Sequence, residues 1–130
     1  MRIARIVLAG VLVAAAGMAE EKKTDVGVAR VAAEENAKTP AGKRYEVGLE
    51  ASLGPWLKKA LERCIHGAAK TELSDFDVFA RISNAGEAEE VLFGGAETAV
   101  TRCVQPDFRD ARYPHPPQPS WWVKVGVQLR

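Results

Sequence analysis

The chain has 130 residues, with 18 lysine and arginine against 17 aspartate and glutamate, 47% hydrophobic residues, 7 prolines and 2 cysteines. Those figures describe one small domain with short appendages and exclude two large ones. A formal net charge of +1 excludes the basic field that nucleic-acid binding usually needs, so no nucleic-acid partner is expected.

The first nineteen residues, MRIARIVLAGVLVAAAGMA, begin with Arg2 and Arg5, continue with an uncharged apolar run from Ile6 to Ala16, and end on small residues suited to cleavage after Ala19. This pattern reads as a secretory signal peptide over residues 1–19. As a helix the apolar run would reach about 17 Å against a hydrocarbon core of roughly 30 Å, so no membrane span is expected after cleavage. The expected location is periplasmic or secreted. Thiols in such a compartment tend to pair, and Cys64 and Cys103 are the only two available. Their bridge would close a loop of about 40 residues and stabilise by roughly 4 kcal/mol at most in the chain-entropy model.

Residues 20–44, EEKKTDVGVARVAAEENAKTPAGKR, mix charges of both signs with scattered valine and alanine and contain no leucine, isoleucine or aromatic residue. Without an apolar stripe a helix through Val28 to Ala37 would have nothing to dock on, so this stretch is expected to be a flexible linker. A domain is expected over residues 45–130. Leu49, Leu53, Leu57, Leu61 and Cys64 recur at helical spacing, and Gly54-Pro55 interrupts them, which predicts a regular helix from Pro55 to about His66 after a shorter helical or irregular piece. Gly67 suits its stop.

Phe76, Val78, Ala80 and Ile82 alternate with Asp77, Phe79, Arg81 and Ser83, the period of a half-buried strand. Asn84-Ala85-Gly86-Glu87 supplies a turn, and Ala88 to Phe93 returns as a second strand. Glu97 to Gln105 predicts a helix with Ala99, Val100 and Cys103 on one side, which Pro106 either kinks or ends or else carries on by a second turn through Arg109. Prolines force Tyr113 to Pro119 to be extended. In SWWVKVGVQLR, Trp121, Val123, Val125, Val127 and Leu129 alternate with Trp122, Lys124, Gly126, Gln128 and Arg130, the clearest strand in the chain. The order α-β-β-α-β predicts an α+β domain of two layers, a three-stranded antiparallel sheet with two helices on one face.

Chemistry-bearing motifs are sparse. Cys64-Ile65-His66 brings a thiol and an imidazole close in sequence, but residues two apart on a helix point about 200 degrees apart and would not share an ion. His115, the other histidine, lies between prolines, and Glu89-Glu90 on a strand would face opposite ways. No metal, cofactor or catalytic group is expected, and the chain is not expected to be an enzyme. Trp121 is expected in the core, whereas Trp122 on the opposite face, beside Lys124, is the aromatic side chain expected to meet a partner.

The Leu-rich helix ending in Cys64, the turn Asn84-Ala85-Gly86-Glu87 after a strand, the helix carrying Cys103, the stretch Tyr113-Pro114-His115-Pro116-Pro117 and the final alternating strand resemble, in that order, the C-terminal domain family of TonB and related cysteine-containing bacterial envelope proteins. The resemblance covers about Leu53 to Arg130. It implies an exported envelope protein and capture of an extended peptide by strand addition to a sheet edge. The edge it implies is the last strand, with Trp122, Val123, Lys124, Val125, Val127 and Leu129 as partner-binding residues. TonB itself keeps an uncleaved membrane helix and a long proline-rich spacer, so energy transduction is not implied here. The expected partner is an envelope protein, an extended peptide or a second copy of the chain. Two other readings stay open: a structural or self-associating protein without a peptide ligand, and a small secreted thiol-redox protein or enzyme.

Overall fold

The computed structural model describes residues 24–129. The signal peptide expected over residues 1–19 lies outside the described residues. The helices are α1 (Val26–Lys38), α2 (Pro40–Ile65) and α3 (Ala99–Asp110), and the strands are β1 (Phe76–Ile82), β2 (Ala88–Gly94) and β3 (Trp121–Val127). β1 is central and antiparallel to both neighbours, giving the order β2-β1-β3. The α+β class and the three-stranded antiparallel sheet are as expected. The helices differ in number and placement, because the chain runs α-α-β-β-α-β.

Alternation along the strands divides the core. Phe76, Val78, Ala80 and Ile82 of β1, Val91 of β2 and Trp121, Val123 and Val127 of β3 share one buried cluster with Tyr45, Leu49 and Leu53 of α2 and Val100, Val104 and Phe108 of α3. The opposite face buries Phe79, fully, and Trp122 against Ala29 and Ala33 of α1. The sheet is therefore covered on both sides rather than one.

A flexible linker is expected over residues 20–44; residues 20–23 lie outside the described residues, and from Val26 onwards helix α1 and the start of α2 stand in its place. Asp25 caps the first turn of α1 through a hydrogen bond from the Gly27 amide, and Ala29 and Ala33, one turn apart, let the backbone lie close on Phe79 and Trp122. Small residues do here what leucines do on α2. Arg30 stacks its guanidinium 4.8 Å from the Phe79 ring centroid and pairs with Asp77 at 3.3 Å. Thr39 then ends α1 and begins α2, donating to the Asn36 carbonyl at 2.8 Å and accepting from the Gly42 amide at 2.9 Å. A Cβ on Gly42 would fall 1.8 Å from the Asn36 carbonyl oxygen, so only glycine permits so tight a corner.

Both interior prolines lie within continuous helices. Pro55 sits inside α2, so the interruption expected before it does not occur, and Pro106 sits inside α3, which runs on by the further turn through Arg109 instead of ending there. Each removes one amide donor on an exposed side, where water can serve the carbonyl left over, while Leu53 and Val104 hold the adjacent turns on the sheet. Gly86, at φ 82°, closes the β1-β2 turn, and its carbonyl accepts from the Tyr113 amide at 2.9 Å.

Candidate functional site

Cys64, in the last turn of α2, is bonded to Cys103 of α3, with the Cα atoms 5.7 Å apart. Arg63 and Asp107 form an ion pair beside the bridge. His66, two residues on, caps the helix end in solvent. The pair expected from the sequence is thus formed. Among the described residues, no group of three or more histidine, cysteine, aspartate or glutamate side chains is placed to hold a metal ion.

Among the described residues, the sheet order leaves β3 at an edge, paired only with β1. In an antiparallel ladder alternate residues turn both backbone groups towards one neighbour, so half of β3 must face away from β1. Asn36 of α1 identifies which half, because its side-chain amide donates to the Trp122 carbonyl at 3.1 Å from outside the sheet. Trp122, Lys124 and Gly126 therefore turn outwards. Val123 and Val125, opposite Ala80 and Val78, turn their amides to β1.

Helix α2 stands over this edge. Its N-terminal end is fixed near the start of β3 by Tyr45, whose ring meets Trp121 edge-on at 6.4 Å and whose hydroxyl donates to the Pro114 carbonyl at 2.7 Å. Burial pushes the Tyr45 phenol up to about 12 and raises that of Tyr113 as well, so both remain neutral donors at physiological pH. From Tyr45 onwards, Leu49, Leu53 and Leu57 form a floor with Val125, while Glu46, Glu50 and Gly54, four residues apart, make the outer row. Together with Lys124 and Gly126 they line a groove of about 500 Å³. A Cβ on Gly54 would meet no atom within 4 Å, so the glycine leaves open space in the wall.

The other edge, β2, is less suited to receiving a strand. A bulge at Glu89 shifts its register between Arg81 and Ile82 of β1. Its groove, about 440 Å³, sets the charged side chains of Glu89, Glu90, Glu97, Arg102 and Arg109 around Leu92 and Phe93, in place of a leucine floor. Glu90 is also committed elsewhere: burial raises its carboxyl, but hydrogen bonds from the Thr24 amide and hydroxyl and the nearby Arg81 outweigh burial and hold it below the usual range.

Of the expected partner-binding residues, Lys124 and Val125 line the groove, and Gly126, not among them, joins it. Trp122, expected as an exposed grip, is only 8% exposed, because α1 covers it and Arg81 lies 5.9 Å from its ring centroid. Val123 and Val127 are core residues, and half-buried Leu129 packs against the core while its amide donates to Asp75 at 2.8 Å. The far wall of the groove, Glu46, Glu50 and Gly54, was not anticipated. A signal existed: glycine inside a helix costs about 1 kcal/mol relative to alanine, and its place on the row beside the leucine stripe leaves a gap in that row. No family model, curated protein or solved structure matches this chain.

Proposed function

We propose that this protein is an exported, non-catalytic binding module of the bacterial cell envelope that captures an extended segment of a partner by strand addition along β3, as the sequence resemblance to the TonB C-terminal domain family implies. The observation that carries the reading is the juxtaposition of outward-facing backbone groups at Lys124 and Gly126 with the leucine floor of α2. A strand added there would hydrogen-bond along β3 and place every second side chain in the groove. The Cys64–Cys103 bridge supports an oxidising compartment. No described helix is long and apolar enough to cross a membrane.

The test uses an acetylated and amidated five-residue peptide of alternating valine and threonine. Titrated into the protein, it should shift the amide resonances of Lys124 and Gly126 and leave the β2 edge unchanged. Gly54→Phe, which puts a ring into the open wall without meeting a neighbouring atom at Cβ, should weaken binding at least tenfold while the melting temperature holds. Equal binding by Gly54→Phe, or shifts confined to β2, would remove the assignment.

A further inference from the structure

Resting on the strand-addition reading, we infer that the groove selects a short segment, about five residues long, that presents a central aliphatic side chain and, two positions away on the Glu46–Glu50 side, a basic one, and that Asn36, Glu46 and Glu50 determine this selectivity. The partner is thus a basic-aliphatic extended segment of another protein.

The length follows from what closes each end of the edge. At the start of β3 the outward carbonyl of Trp122 is already taken by the Asn36 side chain at 3.1 Å, so an incoming amide cannot use it. At the other end the ladder stops at Val127, the last residue of β3 paired with β1, so the regular edge ends there. Between these stops Lys124 and Gly126 turn outwards within the strand, each offering one donor and one acceptor. Four backbone hydrogen bonds suit about five residues, roughly 17 Å of extended chain.

The chemistry follows from alternation. A residue opposite Val125 points its side chain into the groove, onto Leu49, Leu53 and Leu57, which calls for an aliphatic group. The residue two positions away, towards the start of β3, points to the Glu46 and Glu50 end of the wall, which Tyr45 anchors beside Trp121. Glu46 and Glu50 are exposed, lie one helical turn apart where like charges repel, and make no ion pair with a described residue. A cation in the bound segment relieves that repulsion. An acidic segment is disfavoured there, the kind of charge mismatch by which interfaces reject wrong partners.

The experiment compares two five-residue peptides, acetylated and amidated. One has lysine at both ends of Thr-Val-Thr and the other glutamate, and their symmetry makes the result independent of strand direction. By shift titration at Lys124 and Gly126, the lysine peptide should bind about fivefold to tenfold more tightly at low salt, a margin matching the partly exposed contacts of one lysine with Glu46 and Glu50. Glu46→Gln with Glu50→Gln should erase that difference without changing the melting temperature. Adding threonine to both ends of the lysine peptide should gain nothing in the natural protein and severalfold in Asn36→Ala, where the Trp122 carbonyl is released; the exposed glutamate pair keeps the charge test intact if Asn36→Ala loosens α1. Equal binding of the two peptides overturns the selectivity while strand addition stands. If neither peptide nor the valine-threonine probe binds, strand addition fails and the selectivity falls with it.

Discussion

Phe108→Ala is expected to lower the unfolding free energy by about 3–5 kcal/mol, the range for emptying a large aromatic site in a packed core. Phe108 is fully buried, with the Trp56 ring edge-on at 5.4 Å and the Phe93 ring at 6.0 Å, so the deletion strips contacts from α2, α3 and β2 at once. The Tyr113 hydroxyl donates to the Phe108 carbonyl at 2.6 Å, a backbone bond that the substitution leaves in place and that limits how far α3 can collapse into the hole. Small domains have about 5–15 kcal/mol in total, so the variant should sit close to its threshold. Urea unfolding followed by tryptophan fluorescence should show the midpoint falling with the slope unchanged. A loss below about 1 kcal/mol would mean that the helical layer is not packed as described.

Cys64→Ala should cost about 2–5 kcal/mol, as for native bridges in other small exported domains. The bond ties the end of α2 to α3 across 39 residues of chain, so removing it enlarges the unfolded ensemble and frees the end of the groove-bearing helix. Cys103→Ala should cost the same within experimental error, and the double replacement scarcely more than either, because one bond is lost in every case. Reductant added to the natural protein should shift its melting temperature to that of the single variants. Additive losses from the two cysteines would show that they act separately, as free thiols in the core.

The sheet and the bridge were legible because their signals are local or forced. Strict alternation in Phe76–Ile82 and in Trp121–Val127 leaves a strand as the economical reading, and two cysteines admit one pairing. Helix α1 was not, because its contact face is made of Ala29 and Ala33, whose small size brings backbones together but leaves no hydrophobic stripe to detect. The clue lay on the other partner: Phe79 and Trp122, two large aromatic side chains on the supposedly wet face, need a cover. That same cover turned Trp122 from an exposed grip into a buried support. The candidate site was half visible for a related reason. Alternation and the family resemblance pointed to β3, but the wall opposite depends on where α2 crosses it, and no spacing rule in one segment reports the distance to another.

The central claim is that β3 offers an unpaired outer edge beneath α2. Residue-resolved amide exchange tests it most directly. In the free monomer, the Lys124 and Gly126 amides should exchange quickly while those of Val123 and Val125, facing β1, are protected to the limit set by global unfolding. Addition of the lysine-flanked peptide should slow Lys124 and Gly126 and leave Val123 and Val125 where they were. Full protection of Lys124 and Gly126 in the monomer before any peptide is added, or protection gained only at Val91 and Phe93 of β2, would contradict the account.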